Sequence, residues 1–333
     1  MKAVVLTKIG PANPSFQIED RPIPTPKPDQ VLIRVKAIGL NHSELATRLG
    51  ESNPMGDPVL PRVLGIECVG VIESTGSDLL QGTVVMAALG GMGRMFDGSY
   101  AEYCVAPRAN AIPVAASEED LKLSWKTVGA LPELLQTAHG CLFRSLQLKT
   151  GERLLVRGAT SSVGLAAISL AKHAGASVVA STRKKANEAL LKETGADHVL
   201  IDKDNKLQDS IEQDYPQGAV DKVLDLVGAA TAADSIRCLA PGGICCSAGT
   251  LGGRWTIPNF IPNFMLPIGR YLTSYGEITF KKENAPWDEL LELVQSGDLK
   301  IKLGRVYQGL ECLIEAHEVM ERDEAGGKVV IVL

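Results

Sequence analysis

A turn of small residues between two apolar segments has the composition needed to bind a phosphate. Residues 153–157 read as a short buried strand, a turn follows at 158–162, and apolar periodicity predicts a helix from Val163 to about His173. With a second predicted strand at 177–181, the unit spans about thirty residues, the size of a βαβ crossover. Its turn directs backbone N–H groups and a helix N-terminus at one point, which suits a phosphate or pyrophosphate.

The glycine pattern of this turn is incomplete. Against the dinucleotide-binding pattern G-x-G-x-x-G, the three glycine positions hold Ala159, Ser161 and Gly164. Only Gly164 is kept, although Ala and Ser also let a backbone come near a ligand. The pattern alone leaves two interpretations open, a dinucleotide site or an ordinary turn of small residues.

A group of cations follows the second predicted strand. Domains that prefer NAD carry an acid there to bind the ribose hydroxyls, and counting from Gly164 that position falls at Arg183. The stretch Ser181, Thr182, Arg183, Lys184 and Lys185 contains no acid and three cations, which suit a 2′-phosphate. It therefore predicts NADPH as the cofactor. A solvated basic start of the next helix is the alternative.

Composition limits the class of protein. The 333 residues are enough for two domains, and the net charge of −5 comes from interspersed acids and bases, so no nucleic-acid partner is expected. No apolar run approaches the roughly eighteen residues of a membrane span, so no membrane contact is expected. Met1 to Leu6 read directly as a strand, unlike a signal peptide, and a cytoplasmic protein is expected.

The cysteines indicate no metal or disulfide framework. They are odd in number and scattered, and no C-x-x-C pair occurs. We expect reduced, largely buried thiols. They are Cys68, Cys104, Cys141, Cys238, Cys245, Cys246 and Cys312.

Short strands bounded by turn residues dominate the first 124 residues. Residues 30–38 alternate apolar and polar side chains, and further strands are predicted at 68–75, 83–88 and 99–105. This pattern predicts a small barrel-like β domain.

From about Ser124 the pattern changes to alternating strands and helices. Residues 124–146 read as helical, with Ser124 a possible cap and Pro132 a break. Strands are then predicted at 153–157, 177–181, 198–201, 222–227 and 244–248, and helices at 163–173, 185–194, 207–214 and 230–239. This alternation predicts a parallel, doubly wound sheet.

The C-terminal part resembles the beginning of the chain. An edge strand is predicted from Arg270 to Tyr275, helices at 287–296 and 310–322, and a terminal strand at 328–332. A terminal strand needs a sheet to join, and the N-terminal β domain is the obvious host. We therefore predict a discontinuous catalytic domain of residues 1–124 and 268–333, with a nucleotide-binding domain of residues 125–267 inserted. The edge strand is a natural seam for a homodimer.

Several separated segments carry a family resemblance that covers essentially the whole chain. They are GLNHSE (39–44), PRVLGIECVG (61–70), DGSYAEY (97–103), GADHV (195–199) and DKVLDLVG (221–228). In this order they resemble the medium-chain dehydrogenase/reductase superfamily, and within it the zinc-independent quinone oxidoreductases, or zeta-crystallin group. The resemblance implies an α/β protein in which a GroES-like β-barrel catalytic domain carries an inserted, doubly wound Rossmann domain.

The resemblance also indicates which positions of this sequence correspond to the zinc ligands of zinc-dependent relatives. Zinc-dependent relatives hold catalytic zinc with ligands at positions that correspond here to Asn41, Ile66 and approximately Glu133. Asn and Ile cannot replace a thiolate and an imidazole, and the cysteines of a structural zinc lobe are missing from residues 87–96. We expect no metal.

Without a Lewis acid, hydride transfer to an electron-poor acceptor is the expected chemistry, and quinones and α,β-unsaturated carbonyls are such acceptors. The resemblance places Asn41 beside nicotinamide and substrate as an amide donor, and Ser43 at the position of a proton-relay hydroxyl. His42 is a neighbouring group that could titrate near neutrality. Alternatively, Ser43 and Glu44 only cap a helix. Tyr275 either lines the substrate pocket or simply packs.

The resemblance assigns the remaining cofactor contacts. Thr137 is expected near the nicotinamide, and Lys328 is a further candidate. The other residues are Ser161, Ser162 and Val163 at the pyrophosphate, and Val227, Gly228, Ala248, Gly249 and Leu251 around the riboses.

Two alternative functions remain at this stage. An enoyl-thioester or polyketide-type enoyl reductase would use the same hydride chemistry on a larger substrate. A non-catalytic NADPH-binding protein, either structural or RNA-binding, is the alternative of another class. The acidic net charge argues against RNA.

Overall fold

The chain forms two compact units. The computed structural model describes residues 1–51, 56, 58–75, 78–214 and 219–333. The first unit, here called the β unit, comprises Met1–Gln136, Glu277–Asp288 and Leu303–Leu333, and the α/β unit comprises Thr137–Gly276 and Glu289–Lys302. The domain bounds predicted from the sequence remain a prediction.

The strands and helices have the following bounds. The strands are β1 Lys2–Leu6, β2 Phe16–Asp20, β3 Gln30–Gly39, β4 Arg62–Val63, β5 Glu67–Thr75, β6 Val84–Ala88, β7 Tyr103–Pro107, β8 Ala111–Ala115, β9 Arg153–Arg157, β10 Ser177–Thr182, β11 His198–Ile201, β12 Val220–Asp225, β13 Leu239–Ser247, β14 Tyr271–Ser274, β15 Leu303–Gln308 and β16 Lys328–Val332. The α-helices are α1 Ala12–Ser15, α2 His42–Leu49, α3 Trp125–Val128, α4 Pro132–His139, α5 Ser162–His173, α6 Glu188–Thr194, α7 Gln208–Asp214, α8 Ala232–Arg237, α9 Pro262–Met265, α10 Trp287–Ser296 and α11 Leu313–Glu321. A π-helical turn covers Gly140–Ser145, and 3₁₀ turns cover Arg108–Asn110, Lys185–Asn187, Lys282–Asn284 and Leu310–Cys312.

Two sheets build the β unit. The smaller has the order β2-β1-β4, and the larger has the order β15-β16-β3-β5-β6-β8, with β7 also paired to β3. The pairs around β3 are antiparallel, and the apolar residues of β3, β5 and β1 meet in one core. Val31, Ile33 and Val35, which alternate along β3, lie in this core, and most of the other residues of the strand are buried as well.

A parallel sheet builds the α/β unit. Its order is β11-β10-β9-β12-β13-β14, and each neighbouring pair is parallel. The central strand β9 is buried from Leu154 to Arg157, as expected of a strand covered on both faces. Helix α5, which follows β9, is buried from Gly164 to Ala171.

The terminal strand confirms one prediction, and its neighbour was missed. Strand β16 pairs antiparallel with β3, Val330 lying opposite Gly39, so the end of the chain does join the N-terminal β structure. Strand β15 was not predicted, because its sequence LGRVYQ does not alternate apolar and polar residues, and none of its residues is buried. It forms because β16 offers a parallel pairing edge.

Two further predictions need correction. The strand expected at 99–105 begins only at Tyr103, because the N–H groups of Ser99 and Tyr100 bond to the carbonyls of Gly65 and Leu64. The helical stretch 124–146 consists of α3, α4 and the π-helical turn, and Pro132 begins α4 because its missing N–H is tolerated at a helix start. Ser124 is the N-cap of α3 but makes no side-chain capping bond.

Throughout the part of the chain that the structure describes, no helix combines the length and the apolar character needed to cross a bilayer.

Candidate active site

Asn41 lies where the chain leaves β3 and enters α2. Its backbone is extended, with φ −132° and ψ 155°, and it is the N-cap residue of α2, yet its side chain makes no capping hydrogen bond. Ser43 and Glu44 lie inside the first turn, so the interpretation that they cap the helix is wrong. The Asn41 side chain is therefore available for other contacts in the β unit.

A buried ion pair holds the amide of Asn41. Asn41 Nδ2 donates to Glu67 Oε1 at 2.8 Å, and Lys328 Nζ donates to Asn41 Oδ1 at 2.5 Å. Lys328 also donates to Glu67 Oε1 at 2.6 Å, and the side chains of both ions are at most 1% exposed. The backbone N–H of Glu133 donates to the second Glu67 oxygen at 2.9 Å.

These contacts select one orientation of the amide. An ammonium group can only donate, so the Asn41 atom that faces Lys328 is the oxygen. Glu67 then accepts one of the two Nδ2 hydrogens, and the other can donate to a ligand. Burial alone would lower the pKa of Lys328, but the neighbouring carboxylates, Glu67 first, raise this pKa above its ordinary value. Lys328 therefore stays charged, and its amine contacts Asn41 and Glu67 in this structure.

Ser43, Glu44 and His42 occupy the first turn of α2 beside Asn41. The Ser43 hydroxyl donates to Glu44 Oε2 at 3.0 Å, and Glu44 Oε1 accepts the backbone N–H of Ile66 at 3.2 Å. Glu44 is buried, Ser43 is half-buried and His42 is exposed. The structure thus brings the sequence candidates of the β unit together at one end of one helix.

In the α/β unit, the turn after β9 has the geometry of an anion cradle. Gly158 has a φ of +73°, and Ser161 is the N-cap of α5, its Oγ accepting the N–H of Gly164 at 3.1 Å. A Cβ at Gly164 would lie 2.6 Å from the Gly158 carbonyl oxygen, so only glycine fits there. The N–H groups of Ser162 and Val163 lie in the first turn, where a helix offers them no acceptor. They can bind a phosphate oxygen.

The turn after β10 presents its cations to solvent. Ser181 and Thr182 are buried, whereas Arg183 and Lys184 are exposed. Thr182 Oγ1 accepts the Lys184 N–H at 3.2 Å and a hydrogen from Asn187 Nδ2 at 3.2 Å, which fixes the turn. Thr182 therefore supports the turn, Ser181 lies buried before it, and Arg183 and Lys184 are exposed.

The loops after β12 and β13 touch through their backbones. The N–H groups of Val227 and Gly228 both donate to Asp225 Oδ1 at 2.9 Å. A Cβ at Gly228 would lie 2.1 Å from the Gly249 carbonyl oxygen, so the two loops pack without side chains between them. Ala248 precedes this contact and Leu251 follows it. Like the two turns above, both loops follow the carboxyl ends of parallel strands, where such sheets bind ligands.

Thr137 and Tyr275 also belong to the α/β unit. Thr137 lies in α4, and Tyr275 follows β14 directly. A Cβ at Gly140 would lie 2.1 Å from Tyr275 Cζ, so the Tyr275 ring lies directly against Gly140. This contact supports the packing interpretation of Tyr275, and its role toward a substrate remains a prediction.

Sequence reasoning missed the residues that hold the candidates in place. Glu67 and Asp225 were read only as parts of the family segments, and Glu44 only as part of such a segment and as a possible cap. The available signal was a charged residue within an apolar strand, as in the sequences IECVGV and KVVIV, because such residues are buried only when paired. That signal indicates a partner but does not identify it.

Comparisons with known proteins agree with this architecture. The family model of the alcohol dehydrogenase GroES-like domain matches residues 27–116, and that of the zinc-binding dehydrogenase matches residues 162–296. Human quinone oxidoreductase is 28% identical over 341 residues, which cover 100% of this chain and 98% of that protein. Highly-reducing polyketide synthase 1 of Aureobasidium melanogenum is 31% identical over 248 residues, 72% of this chain and 10% of that protein.

Solved structures show the same fold. A mycobacterial protein solved in complex with NADPH has a TM-score of 0.85 and 26% identity, and the match covers 100% of both chains. A GroES-like domain combined with a Rossmann-type domain defines the medium-chain dehydrogenase/reductases, and the chain belongs to this superfamily, in its quinone oxidoreductase group. It is thus an oxidoreductase.

Proposed function

We propose that this protein transfers a hydride from NADPH to a quinone, an enone or another activated alkene, and that it does so without zinc. The observation that carries this proposal is the Asn41 amide, which Lys328 and Glu67 hold in one orientation with an N–H left to donate. The family supports the coarser part, an oxidoreductase.

The residues at the expected metal position do not fit zinc. Asn41 offers an amide and Ile66 offers no ligand atom, so Glu133 is the one carboxylate among the three expected positions, and the neighbouring Glu67 is already paired with Lys328. The ammonium of Lys328 is hydrogen-bonded to Asn41 and would repel a divalent cation. Among the residues with described positions, no group of three or more His, Cys, Asp or Glu side chains has metal-binding geometry. These observations support zinc-independent chemistry.

An amide donor suits the proposed acceptors. Hydride transfer to a quinone or an enone leaves negative charge on the acceptor oxygen, and a fixed N–H donor stabilises that charge as it develops. Bound NADPH supplies the hydride. In this proposal Asn41 orients the acceptor oxygen, and the Ser43 hydroxyl, in the first turn of the helix that Asn41 caps, serves the same oxygen.

The α/β unit offers matching positions for NADPH. The Ser162 and Val163 N–H groups at the start of α5 suit the pyrophosphate, and Gly164 allows the close approach. Arg183 and Lys184 are exposed beyond β10 and suit the 2′-phosphate. The NADPH complex of the mycobacterial neighbour supports the same assignment. The further proposed contacts are Thr137, Val227, Gly228, Ala248, Gly249 and Leu251.

Steady-state oxidation of NADPH with a panel of quinones, alkenals and enoyl thioesters tests the proposal. We expect turnover with at least one quinone or enone, and the same turnover after exhaustive chelation of metals. A lack of turnover with every acceptor would contradict the proposed reaction, and loss of turnover on chelation would contradict its zinc independence.

Reduction of an enoyl thioester is the second candidate. The similarity to a highly-reducing polyketide synthase favours it, although the chain spans only 10% of that protein. The two candidates differ in the size of the acceptor. A kcat/KM for enoyl thioesters well above that for quinones would select the second candidate.

We also propose a cytoplasmic homodimer that pairs through the edge strand from Arg270 to Tyr275. In the described part of the sheet, β14 has a paired neighbour on one side only, β13. Tyr271 is 59% exposed and Ile268 is 96% exposed, so apolar surface adjoins the open edge. Sedimentation should show a dimer at micromolar concentration, and a monomer there would reject this proposal.

A further inference from the structure

Glu44 is a buried carboxyl group that the proposed reaction has not used. Its residue is 2% exposed. Its two oxygens accept hydrogen bonds from the Ile66 N–H at 3.2 Å and from the Ser43 hydroxyl at 3.0 Å, and neither donor carries a charge. An ionised carboxylate buried in this way is costly unless a cation compensates it.

The cations around Glu44 are already engaged. From β16, Lys328 donates to Glu67 on β5 and to Asn41. One turn along α2, Arg48 donates to the Gly10 carbonyl and to Glu321 Oε2, each at 2.6 Å. Two acids, Glu44 and Glu67, thus share the charge of Lys328.

The other titratable groups nearby do not change this balance. Tyr100 is buried and neutral, because burial first and then the charges of Glu44 and Glu67 raise its pKa well above the ordinary value. Desolvation at the start of α2 lowers the pKa of His42, and the charges of Asp323 and Lys328 act on this pKa in opposite directions. Glu133 acts on Lys328 and contributes its backbone N–H to Glu67.

The charge balance in this cluster therefore favours one protonated carboxyl group, and Glu44 is the residue that carries the proton. Burial, followed by the charge of Glu67, raises the pKa of Glu44 to about 7, while Lys328 acts in the opposite direction. Near neutral pH, Glu44 is present both as an acid and as a carboxylate. In its acid form, the proton lies between Glu44 Oε2 and Ser43 Oγ.

We propose that Glu44 stores a proton in the β unit and delivers it through the Ser43 hydroxyl to the oxygen of the reduced acceptor. This inference rests on the proposed reduction of a quinone or an activated alkene. Ser43 touches the substrate in this scheme, and Glu44 acts through Ser43.

The transfer is balanced. Hydride arrival adds one hydrogen and two electrons to the acceptor and leaves a negative charge on its oxygen. Ser43 Oγ gives its hydrogen to that oxygen and takes the proton from Glu44 Oε2. Glu44 is left as a carboxylate and recovers a proton from water before the next turnover.

A purely structural role for Glu44 gives different expectations. If Glu44 only anchors the Ile66 N–H, its replacement lowers stability but leaves the pH dependence of the reaction unchanged. The relay predicts a loss of rate above the pKa of Glu44, because the carboxylate has no proton to deliver. The pH dependence therefore separates the two roles.

The test compares Glu44→Gln, Ser43→Ala and Ser43→Thr with the wild-type protein. In single turnovers, the wild-type rate should fall about tenfold per pH unit above the pKa of Glu44. Glu44→Gln and Ser43→Ala should react about 100-fold more slowly at pH 6 and lose this dependence. Ser43→Thr keeps a hydroxyl and should retain both the wild-type rate and its pH dependence. NADPH affinity, measured by fluorescence titration, should be the same in all four proteins.

An infrared titration provides a readout without turnover. The wild-type protein should show the carbonyl band of a protonated carboxyl group that disappears as the pH rises through about 7, in line with the raised pKa of Glu44. Glu44→Gln should lack this band, and Ser43→Ala should keep it. If Glu44→Gln does not fold, the Ser43 variants and the wild-type band still decide the question.

Three outcomes would overturn the relay. The first is a wild-type protein without the carboxyl band at pH 6. The second is a Glu44→Gln or Ser43→Ala variant with the wild-type rate and pH dependence. In both cases the proposed reduction stands if the wild-type protein turns over quinones. The third is a wild-type protein that reduces no acceptor, which overturns the reduction and the relay together.

Discussion

Asn41 can act as a directed donor only because Lys328 and Glu67 determine which end of its amide points outward. The Lys328 amine and the Asn41 amide meet the same Glu67 oxygen, so the group depends on each of its members. Buried pairs of this kind stabilise the fold little in total, but breaking one leaves an unpaired buried charge.

Lys328→Met should therefore destabilise the protein strongly. We expect a loss of about 3–5 kcal/mol in the free energy of unfolding, because the Glu67 carboxylate stays buried without a partner. Urea denaturation measures the loss, and kcat/KM for the acceptor should fall because the Asn41 amide is no longer oriented. Lys328→Met combined with Glu67→Gln should recover much of the stability. A double variant no more stable than the single one would contradict this account.

The cations after β10 carry the second prediction at the residue scale. Replacing both Arg183 and Lys184 by Glu should raise KM for NADPH by about 10–100-fold, because charged hydrogen bonds to the 2′-phosphate are lost. KM for NADH should change little. Initial rates at varied concentrations of NADPH and of NADH give the two KM values. Lys149→Glu with Lys192→Glu makes the same change of charge at exposed positions elsewhere in the unit and should leave the preference intact. An unchanged preference in the first variant would exclude these cations from cofactor selection.

At the scale of elements, the start of α5 depends on a close approach to the strand before it. Ser161 caps the helix, and Gly164 lies against the Gly158 carbonyl. Ser161 and Ala159 replace the first two glycines of the dinucleotide pattern without loss of this geometry, because Gly158 supplies the positive φ of +73°.

Gly164→Ala should impair the cradle. The added Cβ would meet the Gly158 carbonyl oxygen at 2.6 Å, and we expect a loss of about 1–3 kcal/mol in stability together with weaker NADPH binding. Thermal unfolding and fluorescence titration of NADPH measure the two effects. Gly276→Ala is the matched control, since no atom lies within 4 Å of its Cβ position. Equal behaviour of the two variants would count against the cradle.

Elements with a strong local signal were predicted well. Strands β9 and β16 have the predicted bounds, and α5 begins one residue earlier than predicted. Continuous apolar runs and an apolar helix with a capping residue can be recognised from the local sequence. Strand β15 was missed because its pairing with β16, and not its own sequence, makes it a strand.

At the scale of the whole molecule, His317 couples stability to pH. Its ring is buried in the core of the β unit, and its Nε2 meets the Tyr100 hydroxyl at 2.9 Å. Burial, followed by the charge of Arg48, lowers the pKa of His317 to about 3. The unfolded chain therefore binds the proton first as the pH falls, and the stability contributed by neutral His317 is complete above about pH 6.5 and is lost toward pH 3.

His317→Asn should flatten this dependence. Between pH 7.5 and pH 5, the wild-type protein should lose about 2 kcal/mol more of its free energy of unfolding than the variant does. Urea denaturation at both pH values measures the difference. Parallel losses in the two proteins would show that His317 does not couple stability to pH.

The sequence by itself determined the general character of the protein. A βαβ unit with a small-residue turn, cations in place of an acid at Arg183 and family segments in order were enough to predict the fold class, an oxidoreductase and NADPH. Each of these features lies within a continuous stretch of sequence, so it can be recognised without the tertiary structure.

Only the tertiary structure decided how the catalytic candidates are held. Asn41 and Lys328 are 287 residues apart in sequence, yet the pairing of β16 with β3 brings Lys328 to Asn41 and Glu67. The raised pKa of Glu44 arises in the same way, from burial beside a charge on another strand. Burial and long-range electrostatics depend on which strands pair, and no local pattern of residues contains that information.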